Sequence, residues 1–202
     1  LYINQLMTNL LSVVIPAYNE EVSLETYLPE VINHCKRNNY TLIIVNDGSK
    51  DKTAEILKKY EGEATLKVVT HKVNRGYGGA IKSGIKSATT DFVITIDADG
   101  QHYLEDIDKL LDATIKEDAD MLIGSRKGNK GQDWYRSLGK HLIRSIARAM
   151  VKMNIYDLNS GMKLCNTKLA QKYLKLCPDS MAYSDVIALL FINLGHKVEE
   201  TP

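Results

Sequence analysis

The sequence predicts an α/β fold with a mostly parallel sheet flanked by helices. Five short apolar runs rich in Val and Ile lie within the first 124 residues, and four amphipathic segments alternate with them. Continuous apolar strands separated by helices are typical of parallel sheets that are covered on both faces. Ligands bind such sheets beyond the carboxyl ends of the strands, so we expect functional residues in the loops that follow them.

The elements follow one another along the chain. Strands are predicted at 11–17, 40–45, 66–70, 92–96 and 121–123. Helices are predicted at 24–37, 52–60, 79–87 and 104–116, because apolar residues recur there at helical spacing. After a polar loop at 125–133, further helices are predicted at 134–153, 167–176 and 184–194.

Composition limits the class of protein. The 202 residues are 44% hydrophobic and 25% charged, enough to bury a sizeable core. The formal net charge of +1 argues against a nucleic-acid-binding surface over the whole protein. The three cysteines are widely spaced, and no apolar run approaches the roughly 18 residues of a membrane span. We therefore expect a cytoplasmic protein, in contact with a membrane at most from its cytoplasmic face.

The sharpest motif is the run from Asp97 to His102, which follows the fourth strand. Asp97 and Asp99 can converge on one divalent cation, and Gln101 offers a further oxygen. The alternative is an Asp-rich turn that caps the next helix. A calcium loop would need Asp or Asn at position 101. A haloacid-dehalogenase-type phosphatase would carry Thr there, with the motif near the start of the chain.

Two further polar clusters end the first two strands. Pro16-Ala-Tyr-Asn-Glu20 supplies an aromatic ring, Tyr18, that could pack on a nucleoside base. Asn46-Asp-Gly-Ser49 supplies a carboxylate, Asp47, that could accept hydrogen bonds from a base or a ribose. The alternatives are a core aromatic for Tyr18 and an ordinary turn with a helix cap for Asp47. All three clusters fall at strand ends of one predicted sheet.

Two other segments are distinctive. The glycines from Gly76 to Gly84 narrowly miss two nucleotide-binding motifs, because Ile81 and Ile85 interrupt them, so we expect tight packing of a helix on the sheet. Residues 126–152 carry eight Lys or Arg and one acid. The predicted helix 134–153 could therefore lie on an anionic membrane surface or cradle phosphates, the alternative being a solvated outer face.

Taken in order, these blocks resemble the inverting glycosyltransferases of family 2, which bind nucleotide sugars with a GT-A fold. The resemblance extends over about residues 11–202 and is greatest to the polyprenyl-phosphate hexose synthases, the dolichyl-phosphate mannose synthase group. Asn46 departs from the commoner Asp-Asp-Gly-Ser of the family. The blocks that carry the resemblance are Val14–Glu20, Val45–Ser49, Asn74–Gly84, Asp97–His102, Gly124–Arg126, Asp157–Gly161 and Glu200–Pro202.

The resemblance implies roles for individual residues. Those implied to hold the nucleotide sugar are Pro16, Tyr18, Glu20, Asp47, Asp97, Arg126 and Arg136. Those implied to bind Mg²⁺ or Mn²⁺ are Asp97, Asp99 and Gln101. It also implies a single GT-A domain at 11–202, and residues 1–10, which precede the first predicted strand, are expected to be an N-terminal extension. Within that domain we expect a nucleotide-sugar part at about 11–124 and an acceptor-side part at about 125–202, with the natural chain continuing beyond it.

The acceptor decides whether a general base is needed. A lipid phosphate, with a second pKa of about 6, is largely anionic at neutral pH and can attack unaided. A sugar hydroxyl needs a base, for which Asp185 is the first choice and Asp157 the second. We expect the acceptor to be a polyprenyl phosphate, with a saccharide hydroxyl as the alternative acceptor. The alternative to an enzyme is a non-catalytic module that binds a nucleotide sugar.

Overall fold

The computed structural model describes residues 10–125, 155, 157, 158 and 160–201. The predicted helix 134–153 and residues 1–9 of the predicted extension lie outside these residues. In the described part of the chain, no helix is long and apolar enough to cross a bilayer.

Seven strands form a single sheet among the described residues. They are β1 (Leu11–Ala17), β2 (Thr41–Asn46), β3 (Leu66–Thr70), β4 (Phe92–Thr95), β5 (Met121–Gly124), β6 (Lys163–Asn166) and β7 (Val198–Thr201). Their order is β3-β2-β1-β4-β6-β5-β7. Of these seven described strands, only β6 runs antiparallel to its neighbours, β4 and β5. The predicted mostly parallel sheet is confirmed.

Six α-helices are described. They are α1 (Glu21–Asn38), α2 (Thr53–Lys58), α3 (Tyr77–Ser87), α4 (Glu105–Glu117), α5 (Thr167–Tyr173) and α6 (Tyr183–Asn193), and a 3₁₀ turn (Leu174–Leu176) follows α5. Helix α1 begins earlier than predicted, because its first turn is solvent-facing. Val22 there is 76% exposed, and apolar spacing detects only the buried face of a helix.

The sheet separates two hydrophobic cores. In β1, Val13 and Ile15 pack on the side of α1, where they join Leu28. Val14, between them, faces the opposite side and joins Ile81 of α3. Successive strand residues point to opposite faces, so both faces of β1 are buried, as the continuous apolar run predicts.

Helix α3 packs directly on the sheet at Gly84. A Cβ at this position would overlap Val14 Cγ1 and lie 3.2 Å from Val45 Cγ2. The glycine tract therefore serves close helix–sheet packing, which confirms the prediction made from its failed nucleotide motifs.

The parallel strands β1, β2, β3 and β4 end at the same edge of the sheet. Backbone hydrogen bonds continue just past the strand ends, from Asp47 N to Ala17 O (2.8 Å) and from His71 N to Asn46 O (2.9 Å). The loops after these strands are therefore held side by side, and they carry the predicted site.

Candidate active site

Two pockets meet at the carboxyl edge of the sheet. The first, called here the β1–β2 pocket, has a volume of about 370 Å³. It is lined by Pro16, Ala17, Tyr18, Glu20, Asp47, Asn74, Tyr77, Ala80, Asp97, Ala98, Asp99 and Met181. The three strand-end clusters predicted from the sequence are thus brought together in one pocket.

The second, called here the β5–β6 pocket, has a volume of about 300 Å³. It is lined by Asp97, Asp99, Gln101, His102, Tyr103, Asp106, Lys109, Leu110, Gly124, Ser125, Ser160, Gly161, Met162 and Thr201. Asp97 and Asp99 line both pockets. The two carboxylates therefore lie where ligands of the two pockets would meet.

Asp97 is held by neighbours that favour its ionised form. The His102 imidazole is the main cause of the lowered pKa of Asp97. Its Nε2 lies 3.6 Å from Asp97 Oδ2. The Tyr77 hydroxyl donates a hydrogen bond of 3.0 Å to Oδ1, and the charge of Lys163 adds to the effect, while burial opposes it. The carboxylate is therefore anionic at neutral pH and suited to hold a cation.

The backbone at Gly161 packs against the same carboxylate. A Cβ at Gly161 would overlap Asp97 Oδ2. The Thr95 hydroxyl donates a hydrogen bond of 3.0 Å to the Gly161 carbonyl and fixes this close approach. Only glycine leaves room for the carboxylate here.

Asp99 is exposed in a turn, and its Oδ1 accepts a hydrogen bond of 3.0 Å from the Gln101 backbone N–H. The alternative that this Asp-rich run caps the next helix is wrong. Leu104 occupies the N-cap position of α4, and no side chain caps the helix. The carboxylates of the motif face the pockets instead.

The donor set fits a cation shared with a ligand. In the described ranges, no group of three or more His, Cys, Asp or Glu is placed to hold a metal. Mg²⁺ in proteins commonly takes one or two carboxylates and completes its shell with phosphate and water. Asp97, Asp99 and Gln101 supply hard oxygen atoms of this kind beside open pockets.

The Asp47 carboxylate is buried, and it already accepts three hydrogen bonds. Oδ1 accepts from Arg75 N (2.8 Å) and lies 2.5 Å from His71 Nδ1, and Oδ2 accepts from Gly76 N (2.9 Å). Asp47 therefore anchors the 74–76 segment, which the sequence did not indicate. Its contact with a nucleoside stays a prediction.

Tyr18 is 42% exposed and lines the β1–β2 pocket, so the core-aromatic alternative is wrong. Glu20 lines the same pocket, and its Oε2 accepts a hydrogen bond of 2.8 Å from Ser23. Both line the pocket, and their contact with a nucleoside stays a prediction.

The candidate bases lie apart from the pocket linings that the described residues form. Asp185 is in the first turn of α6. The neighbouring Ser184 hydroxyl accepts a hydrogen bond of 2.5 Å from the buried Lys163 Nζ, which also donates to the Ser160 carbonyl. Asp157 is buried, and its N–H donates a hydrogen bond of 2.9 Å to Glu200 Oε1. Both base assignments stay predictions.

Sequence reasoning missed several residues of the site. Tyr77 and Asn74 lie in a block that carries the family resemblance. His71 directly follows β3, and ligands bind beyond the carboxyl ends of parallel strands, so its position could have indicated a role in the site. Met181 had no sequence signal, because it reaches the β1–β2 pocket from a distant loop. The predicted phosphate contacts Arg126 and Arg136 lie outside the described residues.

Comparison with known families identifies the class of protein. The family model "Glycosyl transferase family 2" matches residues 12–174, and the chain belongs to this family. The predicted enzyme class, a glycosyltransferase, is confirmed, and the phosphatase alternative has no support.

Similar proteins include lipid-phosphate sugar transferases. The chain is 38% identical over 198 residues to dolichol-phosphate mannosyltransferase of Pyrococcus furiosus, covering 95% of this chain and 55% of that protein. It is 32% identical over 195 residues to undecaprenyl-phosphate 4-deoxy-4-formamido-L-arabinose transferase of Proteus mirabilis, covering 95% of this chain and 59% of that protein. The chain thus spans little more than half the length of these relatives.

A solved structure supports the fold. Glucosyl-3-phosphoglycerate synthase from Mycobacterium tuberculosis, crystallised with Mn²⁺, UDP and phosphoglyceric acid, superposes with a TM-score of 0.71. The match covers 95% of this chain and 67% of that one at 17% identity. The GT-A fold expected from the resemblance is confirmed.

Proposed function

We propose that the protein is an inverting, metal-dependent glycosyltransferase that moves a hexose from a nucleoside-diphosphate sugar to a polyprenyl phosphate. The donor would be of the GDP-mannose or UDP-glucose type. The observation that carries the proposal is the junction of two pockets at Asp97 and Asp99. The lipid-phosphate substrates named in the similar transferases support the acceptor class.

The donor occupies the β1–β2 pocket. Tyr18 packs on the base, while Glu20 and Asp47 accept hydrogen bonds from the nucleoside, with Pro16 beside them. Asp97, Asp99 and Gln101 would hold Mg²⁺ or Mn²⁺, which would stabilise negative charge on the departing nucleoside diphosphate. Arg126 and Arg136, outside the described residues, contact phosphate.

The acceptor occupies the β5–β6 pocket. Its phosphate oxygen forms a bond to the anomeric carbon as the bond from that carbon to the diphosphate breaks, and the electron pair leaves with the nucleoside diphosphate. An anionic phosphate needs no base. A saccharide hydroxyl, the alternative acceptor, would give its proton to Asp185 or Asp157.

The two parts of the chain contribute unequally to the two pockets in this scheme. Residues 11–124 supply the donor pocket except for Met181, whereas both parts line the acceptor pocket, to which residues 125–202 contribute Ser125, Ser160–Met162 and Thr201. The predicted helix 134–153 contacts an anionic membrane surface peripherally, and the reaction takes place on the cytoplasmic face of that membrane.

The test is a transfer assay with Mn²⁺ and either UDP-glucose or GDP-mannose. A polyprenyl phosphate and a simple glycoside are offered side by side, and both nucleoside diphosphate release and labelled lipid are measured. We expect transfer to the lipid phosphate, and a loss of about a hundredfold or more in Asp99→Asn, since metal-held charge is removed from the site. Transfer to the glycoside alone would favour the saccharide alternative.

Asp91→Asn is the matched control. Asp91 is exposed and directly precedes β4, at the end of the strand opposite the motif. Its loss should leave turnover unchanged. Donor binding without turnover, equal in the parent and in Asp99→Asn, would instead support the binding-module alternative.

A thermal-shift screen of UDP and GDP, each with and without Mn²⁺, identifies the donor nucleotide. Binding to the folded state raises the midpoint of unfolding. The nucleotide that raises it most, and only with the metal present, is the expected donor class.

A further inference from the structure

His71 connects the β1–β2 pocket to helix α3 through two hydrogen bonds. It directly follows β3, and its side chain is 8% exposed. Nδ1 lies 2.5 Å from Asp47 Oδ1, and Nε2 lies 2.8 Å from the Ser83 hydroxyl oxygen in α3. The imidazole thus bridges a buried carboxylate and a helix.

The direction of these bonds follows from the chemistry of the partners. An ionised carboxylate can only accept hydrogen bonds, so Nδ1 of His71 carries the proton that points to Asp47. In the neutral imidazole, Nε2 then accepts from the Ser83 hydroxyl. Ser83 is not among the residues that line the two pockets, so this chain of hydrogen bonds supports a site and does not itself attack a substrate.

The same carboxylate holds the segment 74–76. It accepts hydrogen bonds from the backbone N–H groups of Arg75 and Gly76, and Gly76 N–H also donates to Asn74 Oδ1 across 2.9 Å. Gly76 has a φ of 86°, and a Cβ there would lie 2.7 Å from the Asp179 carbonyl oxygen. The segment therefore has one tightly determined conformation.

This segment sets the wall of the pocket. Asn74 and Tyr77, on either side of the anchored amides, both line the β1–β2 pocket. The Tyr77 hydroxyl also donates a hydrogen bond to Asp97. A displacement of Asp47 would be transmitted to both residues, because the amides of the two residues between them, Arg75 and Gly76, are bonded to its two carboxylate oxygens.

We propose that His71 is a positioning residue for the nucleoside diphosphate. It orients Asp47, which in turn holds Asn74 and Tyr77 in the conformation that the ligand requires. The identity of the ligand rests on the proposed function. Because His71 acts on donor binding and not on the chemical step, its loss should raise the KM for the donor more than it lowers kcat.

The test compares three variants by calorimetric binding of UDP or GDP with Mn²⁺. His71→Leu removes both hydrogen bonds, His71→Asn keeps a donor close to the position of Nδ1, and Ser83→Ala removes only the bond from the helix. We expect about tenfold weaker binding for His71→Leu and less than about threefold for the other two, since a hydrogen bond to a charged group contributes most.

His196→Leu is the matched control. His196 also bridges a hydroxyl and a carboxylate, with Nε2 2.7 Å from Tyr173 Oη and Nδ1 3.4 Å from Asp120 Oδ2. Asp120 directly precedes β5, at the opposite edge of the sheet from the pockets. We expect both His196→Leu and His71→Leu to lower the unfolding temperature, but only His71→Leu to weaken nucleotide binding.

Each outcome decides between the possibilities. Parent-like binding in His71→Leu overturns the inference while the proposed function stands. Equal losses in His71→Leu and His71→Asn also overturn it, because the ring would then act through packing alone. A parent protein that binds neither UDP nor GDP overturns the proposed function together with the inference.

Discussion

Tyr77 donates a hydrogen bond of 3.0 Å to Oδ1 of Asp97, joining the first residue of α3 to the loop after β4. Burial, and next the charge of Asp97, raise the pKa of Tyr77 well above its ordinary value. The phenol is therefore a permanent donor at neutral pH, and it orients the carboxylate that separates the two pockets.

Replacing Tyr77 with Phe should weaken metal binding at Asp97. Removing a hydrogen bond to a charged group costs about 1.5–3 kcal/mol, so we expect about a tenfold or larger rise in the Mn²⁺ concentration needed for half-maximal activity. Tyr60→Phe, in the turn after α2, is the control. An unchanged Mn²⁺ dependence in Tyr77→Phe would show that the hydrogen bond does not position Asp97.

Replacing Gly161 with Ala should reduce activity more than stability. The new Cβ would overlap Asp97 Oδ2, so the carboxylate must turn away from the pocket or the backbone must shift. A small misplacement of a catalytic group can cost about a hundredfold in rate. Steady-state kinetics and thermal unfolding, measured on the same preparation, separate the two effects. Parent-like kinetics would contradict the close contact.

Replacing Gly84 with Ala should have the reverse effect. Its Cβ would overlap Val14 under α3, and overpacking of a core costs about 1–3 kcal/mol. Urea unfolding should give a lower free energy of unfolding by that amount, while Lys86→Ala, exposed on the same helix, should change it by less than about 0.5 kcal/mol. A Gly84→Ala variant as stable as the parent would refute the packing interpretation.

The buried thiols should make the fold sensitive to alkali. Burial raises the pKa of Cys35 and of Cys165 to about 12, and that of Cys177 to about 11. A raised folded-state pKa gives stability that is complete below the unfolded value of about 8.5 and is lost as the pH rises toward the folded value. The free energy of unfolding should therefore fall between about pH 8.5 and 11.

Cys35→Ala provides the comparison for this prediction. It should be less stable at pH 7 because a buried group is lost, but its stability should fall less steeply with rising pH. Thiol alkylation at pH 8 should be slow in the folded protein and rapid in urea. A pH slope equal to that of the parent would show that Cys35 is not responsible.

Local pattern was sufficient for much of the fold and part of the site. Apolar periodicity located β1 to β5 and the helices between them, because burial on one or both faces requires apolar residues at regular spacing along the chain. Parallel strands end at one edge, so this periodicity also predicts that Tyr18, Asp47 and Asp97 lie close together. Local pattern did not predict that β6 lies antiparallel between β4 and β5, since the strands that pair are remote in sequence.

The sequence by itself determined the fold class, the family and the side chains at the strand ends, because these depend on residue type and short-range spacing. Only the tertiary structure decided what those side chains do to one another. Asp47 binds the amides of the 74–76 segment and is itself held by His71, and the backbone of Gly161 packs against the Asp97 carboxylate. Such contacts join residues from separate elements, and their geometry is set by how α3 and β6 pack on the sheet, which no local pattern records.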